Sequence, residues 1–211
     1  MIWRPAAPER RELDESRQYR ETRNGQFLDH GLDRAGMTGF VVDAAEPLPG
    51  IVLDIGTGRG LIAVELARRG AGVTTVDMSE EMLRSAYLYA VDTGVADRIE
   101  FYLADGGDLP FDEGSFEVVT MINVLHHLED PEAVLPEIAR VLAPGGRLVV
   151  SDFTDRGFEI LEEIHRLEGH GHDRYTGETV DSFAARLVGA GLKCVGRDSR
   201  FHQQVMVAEK V

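Results

Sequence analysis

Residues 52–60 read VLDIGTGRG, an apolar run that closes on Asp54 and then breaks into Gly56, Gly58 and Gly60 at every second position. A glycine loop after an apolar run is a candidate ligand cradle, because a backbone without side chains can approach a bound molecule closely. Spelling separates the possible ligands. The dinucleotide fingerprint G-x-G-x-x-G fails because Leu61 stands where its third glycine belongs, and the triphosphate loop fails because no Gly-Lys pair occurs in the chain. What remains is D-x-G-x-G-x-G. The following helix N-terminus offers amides to a carboxylate, while Asp54 offers negative charge to an ammonium group, directly or through water. The same aspartate would repel a pyrophosphate. Alone, the segment also reads as a glycine-rich turn with no ligand.

Two further acids fall at strand ends. Asp77 closes the apolar run in VTTVDMS, where an acidic residue can accept hydrogen bonds from both hydroxyls of a ribose. Asp105 follows the next run in YLADGGDLPF. VLDIGTGRG resembles the first motif of the class I S-adenosylmethionine-dependent methyltransferases, and YLADGGDLPF, INVLHHLEDP and RVLAPGGRLVVSDF resemble later segments of that family in the same order. The resemblance runs from about residue 50 to 153 and is nearest to small-molecule methyltransferases of ubiquinone and menaquinone biosynthesis. It implies S-adenosylmethionine as cofactor and S-adenosylhomocysteine as product. The implied cofactor site comprises Asp54, Gly56, Thr57, Gly58, Gly60, Asp77, Met78, Asp105, Gly106 and Asn123, with Asp105 at the adenine amino group and the next backbone N–H at the ring.

A sulfonium methyl group is already activated, so alignment with the acceptor in line with the S–CH₃ bond is the main requirement, and it can supply about 7–11 kcal/mol. A hydroxyl acceptor also needs a base. The fourth strand ends in Asn123-Val124-Leu125-His126 and lacks the [DN]-P-P-[YF] segment of enzymes that methylate base amines or glutamine amides, which disfavours those acceptors. His126 and His127 have two readings: packing at the sheet edge, or contact with cofactor or substrate. HRLEGHGHDRY gathers His165, His170, His172 and Asp173 within nine positions. That cluster reads as a solvated loop, as a source of a general base near neutral pH, or as a metal site of low specificity matching no metal motif of the family. His126, His170, His172 and Tyr175 are the candidate catalytic residues, no metal is expected, and Tyr19 is a weaker candidate for closing over the methionine end.

These residues need a scaffold that brings strand ends together. IVLDI, GVTTVD, RIEFYLAD, SFEVVTMI and RLVVSDF read as five strands separated by helical segments such as LIAVELARRG, SEEMLRSAYLYAVDTG and PEAVLPEIARVL. LKCVGRDS and QQVMVAEK lie too close for a crossover and should form an antiparallel hairpin. The expected fold is α/β, a Rossmann-like three-layer sandwich with a mostly parallel seven-stranded sheet in the order 3-2-1-4-5-7-6, its last strand antiparallel. Residues 1–45 are expected to form a helical cover and residues 46–211 the cofactor-binding domain. Residues 7–23 read as a mobile or solvent-facing helix.

With 211 residues and 43% apolar content, the chain is expected to form one well-cored domain. No apolar run is long enough to span a membrane, no secretory signal is visible at the N-terminus, and the single Cys194 is expected to be a buried thiol in a strand. A cytoplasmic setting is the default. A net charge of −15 opposes nucleic acid as the partner and leaves a small-molecule acceptor, with the chain a monomer or homodimer.

Overall fold

A computed structural model of the protein describes residues 1–48, 50–128, 130–167 and 177–211. Seven strands among them form one sheet: β1 (Ile51–Ile55), β2 (Gly72–Asp77), β3 (Ile99–Leu103), β4 (Phe116–Ile122), β5 (Leu142–Phe153), β6 (Leu192–Arg200) and β7 (Gln203–Lys210). Their order is β3-β2-β1-β4-β5-β7-β6. β7 runs antiparallel to both β5 and β6, and the remaining pairings are parallel, as the hairpin spacing required.

Both faces of the sheet are buried, so its central strands read as continuous apolar runs. On one face Leu53, Val119, Met121, Leu148 and Val150 pack with Val134, Leu135 and Ile138 of α5 (Pro131–Val141) and Phe183 of α7 (Val180–Arg186). On the other, Val52, Val73, Val118 and Val149 pack with α2 (Arg34–Asp43), α3 (Leu61–Arg68) and α4 (Glu80–Thr93). Local signals set the helix ends. The Ser79 hydroxyl accepts from Met82 N–H and Gly94 closes α4 at φ +75°, while Asp130 caps α5 with Pro131 in its first turn.

The cover is better fastened than its composition suggests. In α1 (Arg10–Asp29) only Phe27 is buried. The helix is nevertheless tied to α4, where Arg17 and Arg20 both pair with Asp92 and Arg84 meets Glu12 at 2.8 Å. A third apolar cluster joins Phe27, Leu32 and Met37 to Phe153 of β5 and to Ile160, Leu161 and Ile164 of α6 (Asp155–Leu167). At the outer side of β3, residues 1–3 add a short antiparallel stretch: Ile2 bridges Tyr102 and Trp3 N–H donates to the Phe101 carbonyl at 2.8 Å.

Two local expectations need correction. β5 is longer than the expected RLVVSDF: it begins at Leu142, which pairs with Phe116 ahead of an irregularity in register, and so takes in APGG and the last residue of the expected helix PEAVLPEIARVL. Cys194 is half-buried, because it sits on the outermost strand beside a register shift between Cys194 and Gly196.

Candidate functional site

A cavity of about 530 Å³ opens at the carboxyl ends of the central strands, a size and position expected for a small-molecule site in an open parallel sheet. One wall is made of strand ends and the loops that leave them. Gly56 and Thr57 N–H both donate to the Val76 carbonyl, at 2.9 and 3.0 Å, which folds the glycine loop down against β2. Gly56 has φ +81°, and a β-carbon there would stand 2.3 Å from Val124 Cγ2. No other residue fits.

Asp77 organises the same wall. Its Oδ2 accepts from Gly58 N–H at 2.8 Å and its Oδ1 from Ser79 N–H at 2.9 Å. Each oxygen keeps a further lone pair for a ligand hydroxyl. Asp105, exposed at the mouth, accepts from Gly107 N–H at 2.8 Å. Asn123 lies on the floor at φ +57°, its N–H donating to the Ser151 carbonyl at 2.8 Å. Its Oδ1 is buried with no hydrogen-bond partner among the described residues. An acceptor withheld from water in this way is suited to a donor on a bound ligand.

Eight of the ten residues expected at the cofactor line this cavity: Gly56, Thr57, Gly58, Asp77, Met78, Asp105, Gly106 and Asn123. Asp54 and Gly60 stand behind it. Asp54 is 1% exposed, and its carboxylate accepts from the Thr75 and Thr120 hydroxyls, both at 2.9 Å. Thr75 and Thr120 are its register partners on β2 and β4, so one polar rung crosses three strands inside the sheet. Burial pushes the Asp54 carboxyl up to about 7, against the lowering effect of the two hydroxyls, and nearby Asp77 raises it further. Gly60 caps α3 at φ +82°, where a β-carbon would lie 2.8 Å from the Ala86 side chain.

His126 lines the cavity although it is only 3% exposed. Its Nδ1 lies 2.8 and 2.9 Å from the two oxygens of buried Asp152, whose Oδ2 also accepts from His126 N–H at 3.1 Å. A carboxylate at Nδ1 selects the tautomer that carries its proton there. Asp152 was not anticipated. It ends β5 within SDF, and only the pairing of β5 beside β4 brings it to His126. His170, His172 and Tyr175, with Asp173, lie outside the described residues. His165 lines the cavity and accepts at Nε2 from Arg23 at 3.1 Å. Among the described residues no cluster of His, Cys, Asp and Glu is placed to hold a metal ion.

The opposite wall comes from the cover. Arg23 and Phe27 of α1, Arg34, Met37, Thr38 and Val41 of α2, and Leu161 of α6 face the cavity. Sequence reading assigned none of them a role. Tyr19 does not line the cavity; its ring lies under the Arg59 guanidinium, 4.4 Å from ring centroid to carbon.

Residues 53–150 match the family described as methyltransferase domain. The chain is 36% identical over 113 residues to a ubiquinone biosynthesis O-methyltransferase of Xanthomonas axonopodis pv. citri, covering 53% of this chain and 46% of that protein. It is 37% identical over 147 residues to the 27-O-demethylrifamycin SV methyltransferase of Amycolatopsis mediterranei, covering 67% and 53% respectively. The chain thus spans about half the length of these curated relatives. Among solved structures, a SAM-dependent methyltransferase from Methanosarcina mazei superposes with a TM-score of 0.62 at 24% identity, over 81% of this chain and 97% of that one, which shows the shared fold. Residues 53–150 are thus similar to methyltransferase domains, and with its strand order the chain shares the fold of the SAM-dependent methyltransferase from Methanosarcina mazei.

Proposed function

We propose that the protein methylates a hydroxyl of a small-molecule acceptor, with S-adenosylmethionine held along the strand-end wall and His126 taking the acceptor's proton. The cofactor supplies an activated methyl group on sulfur. Asp77 accepts from the ribose hydroxyls through the lone pairs its backbone partners leave open. Asp105 and Gly106 meet the adenine, while the Gly56–Gly58 backbone and Asn123 Oδ1 receive the amino-acid end. Asp54, enclosed in the sheet, holds β1 to β2 and β4 beneath the loop and acts on the cofactor only through that scaffold.

The observation that carries this reading is His126, bonded to buried Asp152, lining the same cavity as Gly56, Asp77 and Asp105. Asp152 fixes the imidazole and stabilises the cation formed when Nε2 accepts the proton. With the methyl donor bound, His126 would take the hydroxyl proton as the acceptor oxygen gains the methyl group from sulfur, and S-adenosylhomocysteine would be the product. The O-methyltransferase named above supports a hydroxyl acceptor. The net charge of −15 supports a small molecule over nucleic acid, and residues 1–45 serve as the cover that closes the pocket.

Calorimetry with S-adenosylhomocysteine and product analysis with a panel of phenols and aliphatic alcohols test the reading. Tight binding and O-methylation that fails in His126→Asn are expected. Tight binding without turnover of any acceptor class would point to a cofactor-binding subunit that is catalytically idle.

A further inference from the structure

The chain is strongly acidic, yet three arginines line its cavity. Arg23 from α1, Arg34 from the start of α2 and Arg59 from the glycine loop all line it. The guanidiniums of Arg23 and Arg34 both lie over the ring of buried Phe27, 5.1 and 4.8 Å from its centroid. Arg34 donates to Asn24 Oδ1 at 3.0 Å and Arg59 to Ser85 Oγ at 3.4 Å, and among the described residues neither has a carboxylate in ion-pair reach. Arginines elsewhere differ: Arg69 meets Asp43, Glu46 and Glu65, and Arg17 and Arg20 share Asp92.

Three like charges gathered in a partly apolar recess oppose one another and lose water. Burial, with the charges of Arg23 and Arg59, pushes Arg34 down to about 10, and burial followed by Arg59 lowers Arg23. An aromatic ring under a guanidinium stabilises its cation and fixes its plane, which leaves the N–H edge for a planar oxyanion. An anion bound at that edge would gain charge-assisted hydrogen bonds and relieve the repulsion together.

We propose that Arg23, Arg34 and Arg59 form an oxyanion-binding wall that holds a carboxylate or phosphate carried by a ligand of this cavity, an inference that rests on the methyltransferase reading above. Two ligands can bring that group: the cofactor through its amino-acid carboxylate, or an acidic acceptor. Charge balance favours the acceptor as at least one source. Asp77 and Asp105 are the two carboxylates lining the cavity among the described residues, and the cofactor adds more positive than negative charge. Among the described residues, with Arg34 and Arg59 set against Asp77 and Asp105, the cofactor's net positive charge is left for an anionic acceptor to balance.

The test compares wild type, Arg34→Gln, Arg34→Lys and the double variant Arg34→Gln/Arg59→Gln. The probes are S-adenosylhomocysteine, 5′-methylthioadenosine, inorganic phosphate, and 3,4-dihydroxybenzoate against its methyl ester on the S-adenosylhomocysteine-loaded protein. Because the guanidiniums repel, both single variants are expected to fold with unchanged Tm, and the lysine variant keeps charge while losing the planar fork. An at least tenfold preference of wild type for the acid over its ester, lost in the double variant while 5′-methylthioadenosine binds within twofold, supports the wall with the acceptor as source. An at least tenfold loss of S-adenosylhomocysteine affinity with 5′-methylthioadenosine unchanged supports it with the cofactor as source. Equal binding of S-adenosylhomocysteine, phosphate and the acid to wild type and double variant overturns it. A wild type that binds neither nucleoside breaks the methyltransferase reading instead, and the wall then stands or falls on whether phosphate raises Tm through Arg34 and Arg59.

Discussion

The two walls of the cavity are built by different means. The strand-end wall is set by backbone: glycines at positive φ, amides bonded to Val76 and Asp77, and acids at the last residue of a strand or just beyond it. The cover wall is set by side chains, through ion pairs between α1 and α4 and an apolar cluster joining α1, α2, β5 and α6. Backbone geometry written in a few adjacent residues can be read locally. Side-chain assembly between segments 72 or more residues apart cannot.

The largest expected effect lies between the walls, at the base. His126→Asn should lower kcat by about 10²- to 10⁴-fold with S-adenosylhomocysteine affinity within twofold, and Asp152→Asn should act in the same direction. Loss of affinity in step with kcat would show that the pair builds the wall and takes no proton. Breaking the strand-end wall comes next. Gly56→Val forces a left-handed backbone, about 1–2 kcal/mol, and drives its side chain into Val124, about 1–3 kcal/mol more, so S-adenosylhomocysteine binding should collapse in calorimetry. Adding Val124→Ala should recover the packing part and leave the backbone part.

A subtler change sharpens the same wall through pH. With Asp54 raised to about 7 from an ordinary 3.8, the folded chain holds a proton that the unfolded chain has released between those values. Stability therefore falls as pH rises from about 4 to about 7 and is level above, an effect on the order of 4 kcal/mol. Asp54→Asn should flatten that slope in denaturant melts, leaving the variant nearer wild type at pH 4 than at pH 8. The smallest effect belongs to the cover. Asp92→Asn removes the shared partner of Arg17 and Arg20, at about 1 kcal/mol or roughly 2–4 °C in Tm, with faster amide exchange confined to α1 and 5′-methylthioadenosine binding unchanged.

Much of the fold was legible because each strand announces itself by an apolar run and each helix by its caps. The helices read from SEEMLRSAYLYAVDTG and PEAVLPEIARVL are bounded by Ser79 and Gly94 and opened by Pro131. Asp77 and Asp105 were legible as strand-end acids. Asp54 was legible in position but not in surroundings, because Thr75 and Thr120 become its partners only once three strands lie in register. Asp152 and Arg34 carry no local signal at all. Their roles come from a strand pairing in one case and a helix laid across the site in the other.

The short antiparallel stretch at residues 1–3 has a consequence for self-association. An open sheet offers unpaired amides and carbonyls at both edges, and either edge can recruit a strand from another molecule. Here residues 1–3 occupy the β3 side, while the exposed β6 side carries Lys193, Arg197, Asp198 and Arg200 and is interrupted by a register shift. Deleting residues 1–3 should therefore shorten solution lifetime against aggregation before it alters ligand binding, and light scattering on the truncated protein would follow the edge being left open.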